Sequence, residues 1–212
     1  MKKLSLLLTI ALVISLCTMP AALAENYVPI NMNEKQMAAA NLFLSNFTEI
    51  GMEKCNSSYD DKNMVDFAHD HMWFNDYEAY EYGDYANGNN CRVSDARIRD
   101  IIAAYFYDPT EVDLSRTRFD YVDGYYYHCE TGGWSNCGFA HVVSICPIGE
   151  NKYFVSFYIF GGGERWENDV MDDTLAEIVT KYHQPNGFGS ALIYAEDLED
   201  RATYRMISYS QV

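Results

Sequence analysis

The chain has 212 residues, 49% of them hydrophobic and 15% aromatic, with 18 Tyr against 3 Trp. That length allows one domain with a core of ordinary size. Acidic residues outnumber basic ones 31 to 15, and a surface of that sign repels phosphate backbones and anionic lipid heads, which sets nucleic acid aside as a partner.

Residues 1–24 read as a secretory signal peptide. Lys2 and Lys3 form a positive start, LSLLLTIALVISL is a short apolar run, and Ala22-Leu23-Ala24 is the small-x-small pattern read by signal peptidase. Cleavage is expected before Glu25, leaving a secreted, extracellular chain. The apolar run is too short and wrongly flanked for a lasting membrane span. Leu16 stands where lipid attachment at Cys17 needs a small residue, so no membrane anchor is expected. Residues 25–212 form a single expected domain, with 31 acids against 13 bases once Lys2 and Lys3 are gone, a formal charge of −18.

Asn33 opens a helix with Gln36 as capping-box partner, and Met37, Ala40, Leu44 and Phe47 recur at helical spacing. Asp60 or Asp61 caps a second helix, in which Val65, Ala68 and Met72 form one stripe with Met64, Phe67 and His71 beside it. Residues 75–90, acidic and rich in Gly and Asn, read as a surface loop. Ser94 caps a third helix with an apolar face of Ile98, Ile101, Ile102, Tyr105 and Phe106, stopped by Asp108-Pro109.

The rhythm then changes to period two. FDYVDGYYY carries the hairpin turn Asp123-Gly124. Residues 139–148 and 153–160 are strands joined at GENK, the second apolar on both faces and therefore central. Asp172 and Asp173 cap a short helix closed by Pro185-Asn186-Gly187, and SALIYA and YRMISYS make a last hairpin around LEDRA.

Helices first and antiparallel hairpins afterwards predict an α+β fold, with N-terminal helices packed on one face of a curved antiparallel sheet of about five to six strands. From residue 33 to 210 this order of elements resembles the cystatin-like roll of nuclear transport factor two-like proteins, in which a long helix lies in the concave face of a curved sheet. The helix near residue 178 departs from that pattern. The resemblance implies a fold and no single function, because that family hosts enzymes and binding modules alike.

Secretion permits disulfides. Cys129 and Cys137 flank the Gly-rich ETGGWSN and are the easiest pair to close; Cys55 with Cys91 is also possible, and Cys146 reads as a small buried apolar residue. HDHMWFNDYE, residues 69–78, raises the question of a metal. His69 and His71 point about 200° apart on a helix and cannot share an ion, whereas a zinc helix needs histidines four apart. No metal site is expected there; His71 reads as a satisfied buried histidine and His69 as a surface one. Asp76, Glu78, Glu81, Asp84, Asn87, Asn89 and Asn90 offer oxygens suited to calcium, but without EF-hand spacing a solvated acidic loop is the simpler reading. No cofactor is expected, calcium in that loop being the alternative.

Two functions compete. Cys91 stands before the third helix, where unpaired amides favour a thiolate, and His141 lies on a strand. Cysteine before a helix and histidine on a strand resemble papain-like cell-wall amidases and peptidases, which implies Cys91 as nucleophile and His141 as its base. The Pro-Gly-Asp turn usual before the histidine strand is absent, and Ser94 suits the helix cap better than Cys91. The preferred reading is therefore a non-catalytic binding or accessory module that takes a neutral or glycan-type extracellular ligand in a helix–sheet pocket. Tyr126, Trp134 and Trp166 are its candidate ligand-binding rings, since flat rings stack on apolar sugar faces and carboxylates accept sugar hydroxyls. Tyr125, Tyr126 and Tyr127 alternate faces, so one or two must point off the core.

Overall fold

The computed structural model describes residues 28–109, 111–129, 138–161 and 168–212. Helix α1 (Glu34–Thr48) starts at Asn33, whose side chain accepts from the Gln36 amide at 3.0 Å while Gln36 reaches back to the Asn33 amide at 3.1 Å. Two of the four orphan amides of a helix start are thereby satisfied. A three-residue strand, β1 (Lys54–Asn56), leads to α2 (Asp61–Asn75). Residues 75–90 hold two 3₁₀ turns and the two-residue strand β2 (Glu81–Tyr82). Strand β3 (Cys91–Ser94) runs into α3 (Asp95–Tyr105). The hairpin β4 (Asp120–Val122) and β5 (Tyr125–His128) turns at Asp123-Gly124, both left-handed at φ 50° and 79°, as a two-residue hairpin loop requires.

Strands β6 (Phe139–Gly149) and β7 (Lys152–Phe160) follow, then a 3₁₀ turn (Asn168–Met171), α4 (Leu175–Tyr182), β8 (Gly187–Ala195) and β9 (Tyr204–Gln211). Thr174, not Asp172 or Asp173, caps α4: its side chain and that of Glu177 form a capping box.

The fold is α+β, but its strands divide between two antiparallel sheets. The larger has the order β1-β9-β8-β7-β6 and the smaller β2-β3-β5-β4. The Asp123-Gly124 hairpin therefore does not extend the main sheet. It pairs with β3, where Cys91 faces His128 and Val93 faces Tyr126. Strand β7 is interior, with β8 the middle strand.

The inner face of the large sheet meets the helices through aromatic rings. Phe157 of β7 stacks on Tyr209 of β9 (5.7 Å between ring centres), Tyr209 on Phe47 of α1 (5.5 Å), and Phe47 on Phe67 of α2 (4.4 Å). Phe106, just after α3, meets both Phe47 and Phe67 edge-on. One column of rings thus joins sheet, α1, α2 and the end of α3. Gly189 of β8 has to lack a side chain, because a Cβ there would sit 2.3 Å from the Phe157 ring and 2.9 Å from the Ser210 carbonyl.

A second contact of α1 is polar. Asn41, Ser45 and Thr48 lie on one side of the helix at spacings of four and three. The Val142 amide of β6 donates to Asn41 Oδ1 at 2.7 Å, the Ala140 amide donates to Ser45 Oγ at 2.9 Å, and Thr48 Oγ1 donates to the Gly138 carbonyl at 2.9 Å. Asn41 Nδ2 also donates to the Met171 carbonyl at 3.1 Å. All three side chains are buried. Further along β6, the Ile30 amide donates to the Ile145 carbonyl. Backbone groups that no sister strand reaches are satisfied in this way by α1 and by Ile30 ahead of it.

Among the described residues, the outer face of the large sheet is only half covered. Phe139 and Phe160 pack there with Val170, Met171 and Ile178, so α4 and the preceding turn form a small second core. Beside it the register aligns Ser144, Ser156, Ser190, Ser210 and Lys54 across all five strands.

Candidate functional site

Helix α2 lies between the rest of the core and the small sheet, so its two histidines enter different surroundings. His71 stacks on Phe67 (5.5 Å, 2°), with Asn75 Nδ2 3.1 Å and Glu49 Oε1 3.7 Å from its Nδ1. His69 is not a surface residue: it is 1% exposed. It stacks on Phe119 (3.6 Å, 17°) and meets His128 edge-on (5.3 Å); the Tyr80 hydroxyl donates to its carbonyl at 3.0 Å and lies 3.2 Å from its Nδ1. Among the described residues, no three His, Cys, Asp or Glu side chains gather closely enough to hold a metal.

The acidic loop has its own partners. Arg97 holds Asp76 at 2.8 Å, Arg92 holds Glu81 at 2.8 Å, and the Asn87 and Asn89 amides both donate to Asp120 Oδ2.

Cys91 and His141 stand on different sheets. Cys91 begins β3 of the small sheet, so it is a strand residue and not the start of a helix; Ser94 takes the cap position of α3. Its thiol is fully buried and donates to the His128 carbonyl at 3.4 Å. His141 sits on β6 of the large sheet, 4% exposed, with Asn41 Nδ2 3.5 Å from its Nδ1. Burial holds its pKa below the ordinary histidine value, with Asp173 pulling the other way. Cys55, Cys129 and Cys146 are thiols, and no disulfide joins Cys55 to Cys91, which stand on different sheets. Cys146 is half-buried on the outer face, not within the core. Cys137, Trp134 and Trp166 lie outside the described residues.

Tyr126 is a core residue. It is 0% exposed and its hydroxyl donates to the Leu114 carbonyl at 2.8 Å. Its neighbours Tyr125 and Tyr127 take the opposite face of β5 and are half-exposed. There the register aligns Glu81, Arg92, Tyr127 and Asp120 across all four strands. The Arg92 guanidinium lies 4.1 Å above the Tyr125 ring and 5.2 Å from Tyr85, and Tyr85 meets Tyr127 edge-on at 5.3 Å. A cation held over aromatic faces fixes the rings it touches. Asp120 Oδ2 is occupied by the two asparagine amides, whereas its Oδ1 accepts no hydrogen bond among the described residues. The result is an outward face with three rings, a guanidinium and an oriented carboxylate.

No protein-family model, curated protein or solved structure matches this chain. The likeness to the cystatin-like roll in order of elements therefore assigns no family. Among the described residues no helix is long and apolar enough to cross a membrane.

The groups around His69 give a pH dependence. Burial, then the nearby His128 and Arg118, hold its pKa well below 6.5. As pH falls below that value the unfolded chain takes up a proton that the folded protein refuses, so this contribution to stability is lost. Asp70 acts oppositely. Burial raises its carboxyl to about 6 even though Arg118 pairs with it. Its contribution is full below the ordinary carboxyl range and is lost as pH rises through about 6. His69→Phe removes only the first effect. Relative to the parent, the change in stability from about pH 7 to about pH 5 is expected to become less unfavourable by about 2 kcal/mol. Denaturant melts of both proteins at the two pH values check it, and equal pH dependence would contradict it.

Proposed function

We propose that the protein is a secreted, non-catalytic binding module that holds a neutral, glycan-type ligand on the outer face of the small sheet. The observation that supports this most is the cluster of Tyr85, Tyr125 and Tyr127 around Arg92, beside a carboxylate with one oxygen to spare. Sugar rings have apolar faces that stack on tyrosine and a rim of hydroxyls that donate to carboxylates and accept from guanidinium and amide groups. Packing against Arg92 limits the rotamers of the rings, which lowers the entropy lost when a ligand arrives. The excess of 31 acids over 15 bases suits a neutral ligand better than a polyanion. The helix–sheet interface is filled by Phe47, Phe67 and Tyr209, so the ligand is placed on this open face and not between the layers.

The test is a neutral-glycan array followed by calorimetric titration of each hit. Asp120→Ala is expected to weaken binding by about tenfold through loss of a charged acceptor, and Tyr127→Ala by a similar factor through loss of stacking. An array with no signal above background, or hits indifferent to both substitutions, would sink the proposal.

A further inference from the structure

The large sheet offers a second, separate site. A groove of about 800 Å³ crosses the uncovered half of its outer face and shares no residue with the tyrosine face. It runs from β1 to β6, four strand steps of about 4.8 Å or about 19 Å in all. Its two ends differ in chemistry. The β1 end presents Lys54 and Asn56 with Ser208 and Ser210 of β9. The far end presents Phe154 of β7 and Ile148 of β6, with Leu192 between. The register places Asn56, Ser208, Leu192, Phe154 and Cys146 in one row, so polar side chains give way to apolar ones along a straight path.

Four observations narrow the occupant. Among the described residues the apolar row is uncovered, although the same face, a few residues along, is closed by α4 over Phe139 and Phe160. Lys54 makes no ion pair among the described residues, in a chain with twice as many acids as bases. The acid in the lining, Asp60, accepts from Asn63 Nδ2 at 2.8 Å, and Asn63 also donates to the Lys54 carbonyl, which ties that carboxylate to the groove wall. Among the described residues the Ser208 and Ser210 hydroxyls have no side-chain hydrogen bond and are available to an oxygen-rich head.

We infer that this groove binds a single-chain amphiphile with an anionic head, the carboxylate meeting Lys54, Ser208 and Ser210 and the hydrocarbon lying over Leu192, Phe154 and Ile148. A sugar would leave the apolar end unused, and a cationic head would meet the unpaired lysine. The floor offers side chains and no backbone hydrogen bonds, which disfavours an extended peptide.

Decanoate, 1-decanol and maltose, titrated calorimetrically into the full chain below the micelle limit, test this. Saturable one-to-one binding of decanoate, at least about fivefold tighter than decanol, is expected. Lys54→Ala should erase that preference. Leu192→Glu and Ser190→Phe, one charging the floor and one filling it, should each weaken both ligands by at least about tenfold. Tyr127→Ala should leave decanoate affinity unchanged, which separates this site from the glycan face. The inference is overturned if decanoate does not saturate, if it binds no better than decanol, if maltose alone binds in the groove, or if whichever of the two floor variants keeps the parent's circular dichroism binds as well as the parent.

Discussion

Phe47→Ala is expected to lower the free energy of unfolding by about 3–5 kcal/mol, the usual loss for a large aromatic side chain removed from a core. Phe47 is 0% exposed and touches five other rings, those of Phe43, Phe67, Tyr105, Phe106 and Tyr209. It touches both Tyr209 of the sheet and Phe67 of α2. A cavity there has walls on several elements, and the stacked rings on either side cannot both collapse into it. The cost should thus fall at the high end of the range, with a single cooperative transition retained at lower denaturant. Urea unfolding followed by circular dichroism measures it. A loss under about 1 kcal/mol would mean that the column relaxes freely, contrary to close packing.

Asn41→Ala is expected to cost about 2–5 kcal/mol by a different route. The substitution removes little apolar area. It leaves the Val142 amide and the Met171 carbonyl without their partner in a buried place, at about 1–3 kcal/mol for each unsatisfied group. The effect also has an address. In hydrogen exchange the Val142 amide should be protected in the parent and exchange much faster in the variant, while amides of β8 keep their order. Ser45→Ala should do the same at the Ala140 amide. If exchange at Val142 is unchanged, water or a shifted neighbour has replaced the asparagine and the energetic argument fails.

The contrast between these two positions explains what the sequence made legible. Phe47 belongs to a helical stripe, and the stripe, the Asn33–Gln36 box and the Asp123-Gly124 turn are local signals that survive folding. Asn41 and Ser45 read as ordinary polar helix positions, because their partners on β6 lie about a hundred residues away. The second sheet was hidden for a related reason: β3 is four residues long with alternating burial, too short to show a period beside a helix cap. The burial of His69 is not legible because a helix whose sequence shows one apolar stripe is covered on two sides. Alternation along Tyr125–Tyr127 gave two faces but not their phase, which the pairing of Val93 with Tyr126 sets. The row of serines could not be seen at all, since its members come from four separate strands and only register collects them.

The seam between α1 and β6 has a further consequence. A β-sheet grows by recruiting a neighbour's main chain to its margins, and exposed margins seed aggregates. Here one margin is plugged by amide and hydroxyl groups of the chain's own first helix, and the opposite margin is a ribbon of three residues. Among the described residues, that leaves almost no rail on which another copy of the large sheet could zip.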